Sequence, residues 1–295
     1  MTKIDIICPL YNASKYINNL HKSFLMQENV SINNIRYVIT KSRDNTEKIV
    51  KELDNCVYKV IEPDKFSHSY TREQEAFESN ADIIVFVTQD VIIKRKDWLY
   101  NLTKPIIDKE CVATYSRQIC TNNSIEKYTR ECNYPDKSKI VSKDDITKLG
   151  LKTFFFSDAS SAIDRNVFVK LNGYDQKKFM MSEDMYIAYK IITNGYKIKY
   201  CADSVVGHSH IFTLKQYYER YKATGKFFKE NKYLNNYKVN AAGGSLAKYV
   251  LKRAWQDKNW SVLLKFVPNM AARYIGMKVG EHNGWQENNY NYKWF

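Results

Sequence analysis

The chain of 295 residues carries 46 Lys and Arg against 32 Asp and Glu, a net charge of +14, and is 44% hydrophobic. That length supports one large α/β domain with an appendage and ample core, while no apolar run approaches the ~20 residues that span a bilayer and no charged segment leads into a short apolar stretch as an export signal would. Cys8, Cys56, Cys111, Cys120, Cys132 and Cys201 show neither CxxC nor metal-ligand spacing, so free thiols in a reducing cytoplasm are expected rather than a disulfide scaffold.

Strands are expected at 3–9, 35–40 and 83–87, alternating with helical patterns at about 14–27, 44–53 and 71–79. That alternation argues βαβ units and a mostly parallel sheet. The first strand closes in Pro9-Leu10-Tyr11-Asn12; the second runs into Ser42-x-Asp44-x-Thr46, after which Ile49, Val50 and Leu53 share one side of a helix. Ile83 through Val87 is five apolar residues in a row, the pattern of a strand buried on both faces, and it ends abruptly in Thr88-Gln89-Asp90. A short helix starts at Trp98 and is expected to stop before Pro105. Residues 120–150 are polar and read as a long loop or a mobile helical excursion. The core restarts at Phe154-Phe155-Phe156 and 157–163, Gly173-Tyr174-Asp175 marks a turn, a helix over 184–194 is stopped by Gly195, and 196–201 is a strand. From Thr213 onward the pattern is helical, punctuated by Gly225, Gly243-Gly244 and Pro268; there is no internal repeat, GxGxxG or P-loop.

In open α/β sheets ligands sit beyond the carboxyl ends of strands, which places Asp90 where a hard oxygen ligand can hold Mg²⁺ or Mn²⁺ against a diphosphate. A turn-forming aspartate is the plain alternative. Glu183-Asp184 opens a helix, where the dipole stabilises carboxylates and lowers their basicity; the pair is either a cap or a general base for a hydroxyl. His208-Ser209-His210 follows a strand, so alternation should turn at most one histidine toward a site.

Taken in order, Pro9-x-Tyr11-Asn12, Ser42-x-Asp44-x-Thr46, Phe66-x-His68 with Thr71-Arg72, Thr88-Gln89-Asp90, Ser182-Glu183-Asp184 and Gly207-His208-Ser209-His210 resemble the motifs of family 2 glycosyltransferases, most closely the rhamnosyltransferase branch, over residues 3 to about 225. The resemblance implies a GT-A (nucleotide-diphospho-sugar transferase) α/β fold over 1–225, a mostly parallel sheet flanked by helices, followed by a basic helical extension over 226–295. It also implies an inverting transfer in one displacement. Pro9, Tyr11 and Asn12 would lie beneath the base, with Thr40 and Asp44 nearby; His68 and Arg72 would face phosphate; Thr88, Gln89 and Asp90 would complete the donor site. Asp90 would hold Mg²⁺ or Mn²⁺, with His208 or His210 completing the shell. Asp184 would be the base, supported by Glu183, and Phe179, Met180 and Met181 would receive the methyl of a 6-deoxy sugar. The implied donor is dTDP-β-L-rhamnose and the implied acceptor a lipid-linked bacterial glycan. The chain departs from the family pattern at two places: Ile39 or Thr40 stands where a second-strand Asp often reads the base, and Thr88 stands where Asp-x-Asp has its first carboxylate. A UDP-hexose donor therefore stays open. A nucleotidyltransferase would want a Gly-rich loop after the first strand, which Leu10-Tyr11-Asn12-Ala13-Ser14 is not. A non-catalytic binder of anionic polymers would leave Thr-Gln-Asp and Glu-Asp without a role.

Residues 211–295 hold +10 of the net charge, and 246–267 mixes apolar residues with lysines as interfacial helices do. A peripheral position on the inner face of the cell membrane, held by anionic lipid rather than nucleic acid, is expected; a packed helix or a homodimer contact explains the apolar face equally well. Gln216-Tyr217-Tyr218-Glu219-Arg220-Tyr221 is reminiscent of the Gln-x-x-Arg-Trp motif of processive polysaccharide synthases, with one residue too many and Tyr for Trp, so single-sugar transfer is expected.

Overall fold

Apolar runs and amphipathic segments alternate through the first half of the chain as β1 (Lys3–Leu10), α1 (Ile17–Leu25), β2 (Ser31–Thr40), α2 (Thr46–Lys51), β3 (Val57–Ile61), α3 (His68–Glu78), β4 (Ile83–Val87) and α4 (Trp98–Ile107). The second half continues with β5 (Ala113–Ile119), α5 (Ile125–Asn133), β6 (Lys139–Val141), α6 (Ile146–Leu149), β7 (Ser160–Asp164), α7 (Arg165–Lys170), α8 (Glu183–Thr193), β8 (Ile198–Gly207), α9 (Leu214–Glu230), α10 (Ala242–Gln256) and α11 (Trp260–His282). The structure, a computed structural model, describes residues 2–237 and 242–282.

The strands form one eight-stranded sheet in the order β3-β2-β1-β4-β7-β5-β8-β6. The pairs β1–β2, β1–β4, β2–β3 and β5–β8 are parallel, whereas β7 is antiparallel to β4 and β5, and β6 to β8. Ile4, Ile6, Cys8 and Leu10 of β1 join Phe24, Trp98 and Leu102 in the core on one face, while Ile7 joins Phe86, Phe168 and Tyr174 on the other. Burial on both faces is why the β4 run shows no polar alternation. Between β1 and β4 the strand order reverses, and the crevice outside such a switch point is where α/β sheets bind ligands.

Several boundaries differ from the sequence expectation, each for a local reason. Helix α4 runs through Pro105 because Leu99, Leu102 and Ile106 are buried and hydrogen bonding resumes with Asp108 N to Lys104 O at 2.8 Å. Of the two readings of 120–150, loop or helical excursion, the second describes α5, which buries Ile125 and Tyr128, while β6, not expected, pairs with β8. Few apolar residues are needed there because ion pairs such as Lys127–Asp257 and Arg253–Glu131 help join α5 to α10. Strands β3 and β5 escape notice because Lys59, Ser116 and Gln118 interrupt their apolar pattern. Strand β8 continues six residues past Cys201, to Gly207.

Position 225, where the sequence reading divides the chain, lies inside α9. This helix packs against α11 at a seam of glycines: a Cβ on Gly225 would collide with Met277 O, one on Gly276 with Tyr218 O, and one on Gly280 with Lys222 O. Arg273 of α11 locks the seam, donating to Glu126 Oε1 of α5 at 3.1 Å, to Tyr221 OH at 3.0 Å and to Asn269 Oδ1 at 2.7 Å. Gly280→Val should cost about 1–3 kcal/mol of stability, the range for overpacked contacts, and lower the thermal midpoint. An unchanged midpoint would mean that the two helices are not held together in solution. Among the described residues no helix is long and apolar enough to cross a membrane.

Candidate active site

The carboxyl ends of β1, β4 and β8 and the amino end of antiparallel β7 meet at one edge of the sheet, where they border a cleft of about 450 Å³. Pro9, Tyr11 and Asn12 form part of its lining. Asn12 takes a left-handed φ of 49°, which short polar side chains tolerate, and so turns the chain away from β1. Gln89 clamps this loop to β4: its Oε1 accepts from Tyr11 N at 2.7 Å and its Nε2 donates to Tyr11 O at 2.8 Å. Both amide groups are thus committed to the backbone.

Asp44 is not among the cleft-lining residues. It accepts from Ser14 N at 3.0 Å, Ser42 Oγ at 2.8 Å and Thr46 Oγ1 at 2.7 Å, tying the loop after β1 to the loop after β2. Against the cost of burial, the bonds from Thr46, Ser14 and Ser42 hold its carboxyl well below the usual range. Thr40 and Thr88 do line the cleft, and among the described residues neither buried hydroxyl has a hydrogen-bond partner.

In the lining of the cleft Asp90, His208 and His210 converge, with one ligand atom from each lying within 4.8 Å of the others. His208 Nε2 is 3.6 Å from Asp90 Oδ1, His210 Nε2 is 3.5 Å from Asp90 Oδ2, and the two Nε2 atoms are 2.9 Å apart. The expectation that at most one histidine faces the site is therefore corrected. Strand β8 ends at Gly207, held against Ile92 by two backbone bonds of 2.7 and 2.8 Å, and the histidines lie beyond the pleat, where alternation no longer applies. His208 Nδ1 sits 2.8 Å from Gln118 Oε1. Gln118 Nε2 donates to Ser157 Oγ at 2.8 Å, so its Oε1 is the acceptor, Nδ1 carries the proton and Nε2 presents its lone pair to Asp90. Burial, and then the positive charge of Arg130, pushes His208 well below the ordinary imidazole range; burial and nearby Arg220 lower His210 against the pull of Asp90. Two neutral imidazole nitrogens facing a carboxylate fit a divalent cation.

Arg72 of α3 also lines the cleft and is 1% exposed. Its Nη1 donates to His68 O at 2.9 Å and Glu183 Oε1 at 3.2 Å, and its guanidinium lies 6.0 Å from the Phe86 ring centroid. Ser182, at a left-handed φ of 64°, turns the chain into α8 immediately before Glu183 and Asp184, a sparsely populated geometry for a non-glycine residue. A third carboxylate, Asp158, is buried beside them and accepts from Tyr174 OH at 2.6 Å and Ser161 Oγ at 2.8 Å. Burial pushes Glu183 up to about 7, with Arg72 opposing and Asp158 adding to the rise. Burial and the charges of Glu183 and Asp158 push Asp184 well above the usual carboxylate range. The helix dipole was expected to lower basicity here; burial and crowded negative charge outweigh it. Asp184 lines the cleft, and its Oδ1 accepts from Met185 N of its own helix at 2.8 Å.

Met180 and Met181 border the cleft, but Phe179 does not; its ring packs on Tyr186 and Phe227 at 5.0 and 5.3 Å between centroids. Sequence reasoning missed Asp158, which arrives from the amino end of β7, an edge that a rule about carboxyl ends passes over. Arg220 carried a signal in the Gln216-to-Tyr221 pattern but was given no role. Its guanidinium stacks 4.7 Å from the Phe212 ring centroid, Phe212 stacks on His210 at 4.9 Å, and all three line the cleft.

A sequence model of glycosyl transferase family 2 matches residues 5–171. The O-antigen chain rhamnosyltransferase RfbN of Salmonella typhimurium is 33% identical over 296 residues, covering 96% of this chain and 90% of that protein. The O-antigen chain rhamnosyltransferase WbaN of Salmonella anatum is 33% identical over 299 residues, covering 97% and 91%. Among solved structures, the mannosyltransferase PcManGT of Pyrobaculum calidifontis, in complex with GDP-Man and Mn²⁺, superposes with a TM-score of 0.62 at 15% identity, covering 94% of this chain and 85% of that one. Staphylococcus aureus TarS 1–349 in complex with UDP-GlcNAc superposes at 0.54 and 15% identity, covering 95% and 90%. At these identities the structural likeness speaks to fold alone.

Proposed function

The chain belongs to glycosyl transferase family 2, and within it we propose an inverting rhamnosyltransferase that moves L-rhamnose from dTDP-β-L-rhamnose to a hydroxyl of a lipid-linked bacterial polysaccharide precursor. The observation that carries the reading is one cleft lined both by a crowded carboxylate pair and by Asp90, His208 and His210. Asp184 takes the proton of the acceptor hydroxyl; the acceptor oxygen attacks the anomeric carbon from the face opposite the diphosphate, and the bond to the diphosphate breaks as the new glycosidic bond forms. Glu183, held by Arg72, keeps its neighbour's charge confined to the cleft. Asp90, His208 and His210 would hold Mn²⁺ or Mg²⁺, which supplies positive charge to the leaving diphosphate; the two imidazoles suit Mn²⁺ better. Arg220, stacked on Phe212 next to His210, adds a fixed cation there.

The base of the donor lies over Pro9, Tyr11 and Asn12, with the unpartnered Thr40 hydroxyl offering one hydrogen bond to its edge. Such a bond contributes only about 1 kcal/mol, so the sugar pocket sets selectivity, with Met180 and Met181 beside the C6 methyl. The enzyme works in the cytoplasm, at the inner membrane face where a lipid-linked acceptor is presented. A hydrolysis screen across UDP-, GDP- and dTDP-sugars should find dTDP-rhamnose turned over fastest. A clear preference for UDP-hexoses would overturn the rhamnosyl assignment and leave the family.

A further inference from the structure

Helix α11 is apolar on two faces. One is buried, with Gly276 and Gly280 against α9 and with Val262 and Phe266 in the apolar cluster that holds Ile125, Tyr217 and Val250, as expected of a packed helix. The other carries Trp260, Leu264, Val267 and Tyr274, with exposures of 56%, 81%, 73% and 65%. Their spacing of four, three and seven places them in one stripe about 20 Å long at 1.5 Å per residue. At its start Trp255, the last turn of α10, is 66% exposed and meets Trp260 edge to face at 5.4 Å. Four such side chains in line, with a tryptophan pair at one end, exceed the scattered single hydrophobics of an ordinary surface.

We propose that this stripe and the Trp255–Trp260 corner form a docking surface for an anionic lipid bilayer, which deepens the membrane location proposed above and rests on it. The charge around the stripe selects the occupant. From residue 258 to 280 the chain has no Asp or Glu, and Lys258 and Lys265, both exposed, have no ion-pair partner among the described residues. Lysines flanking an apolar helix face with tryptophans at its edge suit the headgroup boundary, where each basic residue adds attraction to anionic lipid. A second copy fits less well: an isologous contact would set the lysines of one copy against a patch whose nearby carboxylate, Asp257, is already paired with Lys127 and Arg253. The glycine seam and the Arg273–Tyr221 hydrogen bond fix the stripe to α9, whose Arg220 lines the cleft, and the Arg273–Glu126 ion pair ties it to α5. Docking would therefore hold the cleft at a set position relative to the lipid surface.

Co-sedimentation of the full chain with phosphatidylcholine vesicles, with and without phosphatidylglycerol, tests this. Binding is expected only with phosphatidylglycerol and is expected to weaken with salt. Trp260→Ser with Leu264→Ser, and separately Lys258→Glu with Lys265→Glu, should each weaken it roughly tenfold or more, while hydrolysis of the nucleotide sugar in solution stays unchanged. Loss of hydrolysis in the wild type would instead strike the catalytic reading and leave vesicle binding as an independent result. Failure of the wild type to bind anionic vesicles at low salt would overturn the proposal. So would variants that bind vesicles normally but change from dimer to monomer in light scattering.

Discussion

Asp184→Asn is expected to lower the transfer rate by roughly 10²–10⁴-fold, the range for losing a positioned general base, with donor affinity nearly unchanged. The substitution removes proton acceptance and little else: the hydrogen bond from Met185 N can still be accepted by the amide oxygen, and relief of repulsion from Glu183 and Asp158 leaves the fold no less stable. Glu183→Gln should behave differently. Its carboxylate pairs with Arg72 at 3.2 Å, with both side chains almost wholly buried, and removing one partner of such a pair costs about 3–5 kcal/mol because the other charge is left uncompensated. A large fall in thermal stability for Glu183→Gln but not for Asp184→Asn would separate support from base. An inactive Glu183→Gln with an active Asp184→Asn would exchange the roles, and equal loss of donor binding in both would reduce the pair to a helix cap.

The same cluster sets the pH profile. Burial and mutual repulsion raise the Glu183–Asp184 pair, so its proton is retained to a higher pH than an ordinary carboxylate allows. Activity should fall as pH drops through that raised value, with the acid limb above the usual carboxylate range. Asp158→Asn removes one of the raising charges and should move the limb toward lower pH. A limb that stays in place would mean that Asp158 serves only to hold Tyr174 and Ser161.

What the sequence made legible was what depends on local pattern. The β4 run and its terminal Asp90, the strand-closing Pro9-x-Tyr11-Asn12, and the helix opening at Glu183 are each encoded within a few residues. What escaped depends on partners distant in the chain. Asp44 lies outside the cleft lining and is bonded to Ser14 and Ser42; Gln89 lines the cleft with both halves of its amide on the Tyr11 backbone. The convergence of His208 and His210 depends on where β8 stops, and that is set by its bridge to Ile92. Segment 120–150 looked too polar for core because its helix is held in part by charges on α10, more than a hundred residues away.

Asp90→Ala should abolish turnover and remove the metal dependence of nucleoside diphosphate binding while leaving stability within about 1 kcal/mol, since truncating a polar side chain outside the core costs little. With His208 and His210 both driven toward the neutral form and their Nε2 atoms 2.9 Å apart, a cation between them and Asp90 would satisfy the facing lone pairs. Calorimetry of dTDP binding with and without Mn²⁺ should show strong metal dependence in the wild type and none in Asp90→Ala. Gln118→Ala is the sharper variant, because Gln118 touches His208 Nδ1 rather than the metal position. Losing the acceptor that fixes the tautomer should weaken Mn²⁺ affinity by roughly 10–100-fold without removing a ligand. Wild-type dTDP binding that is identical with and without Mn²⁺ would sink the metal assignment, and the three side chains would then be a hydrogen-bonded wall of the cleft.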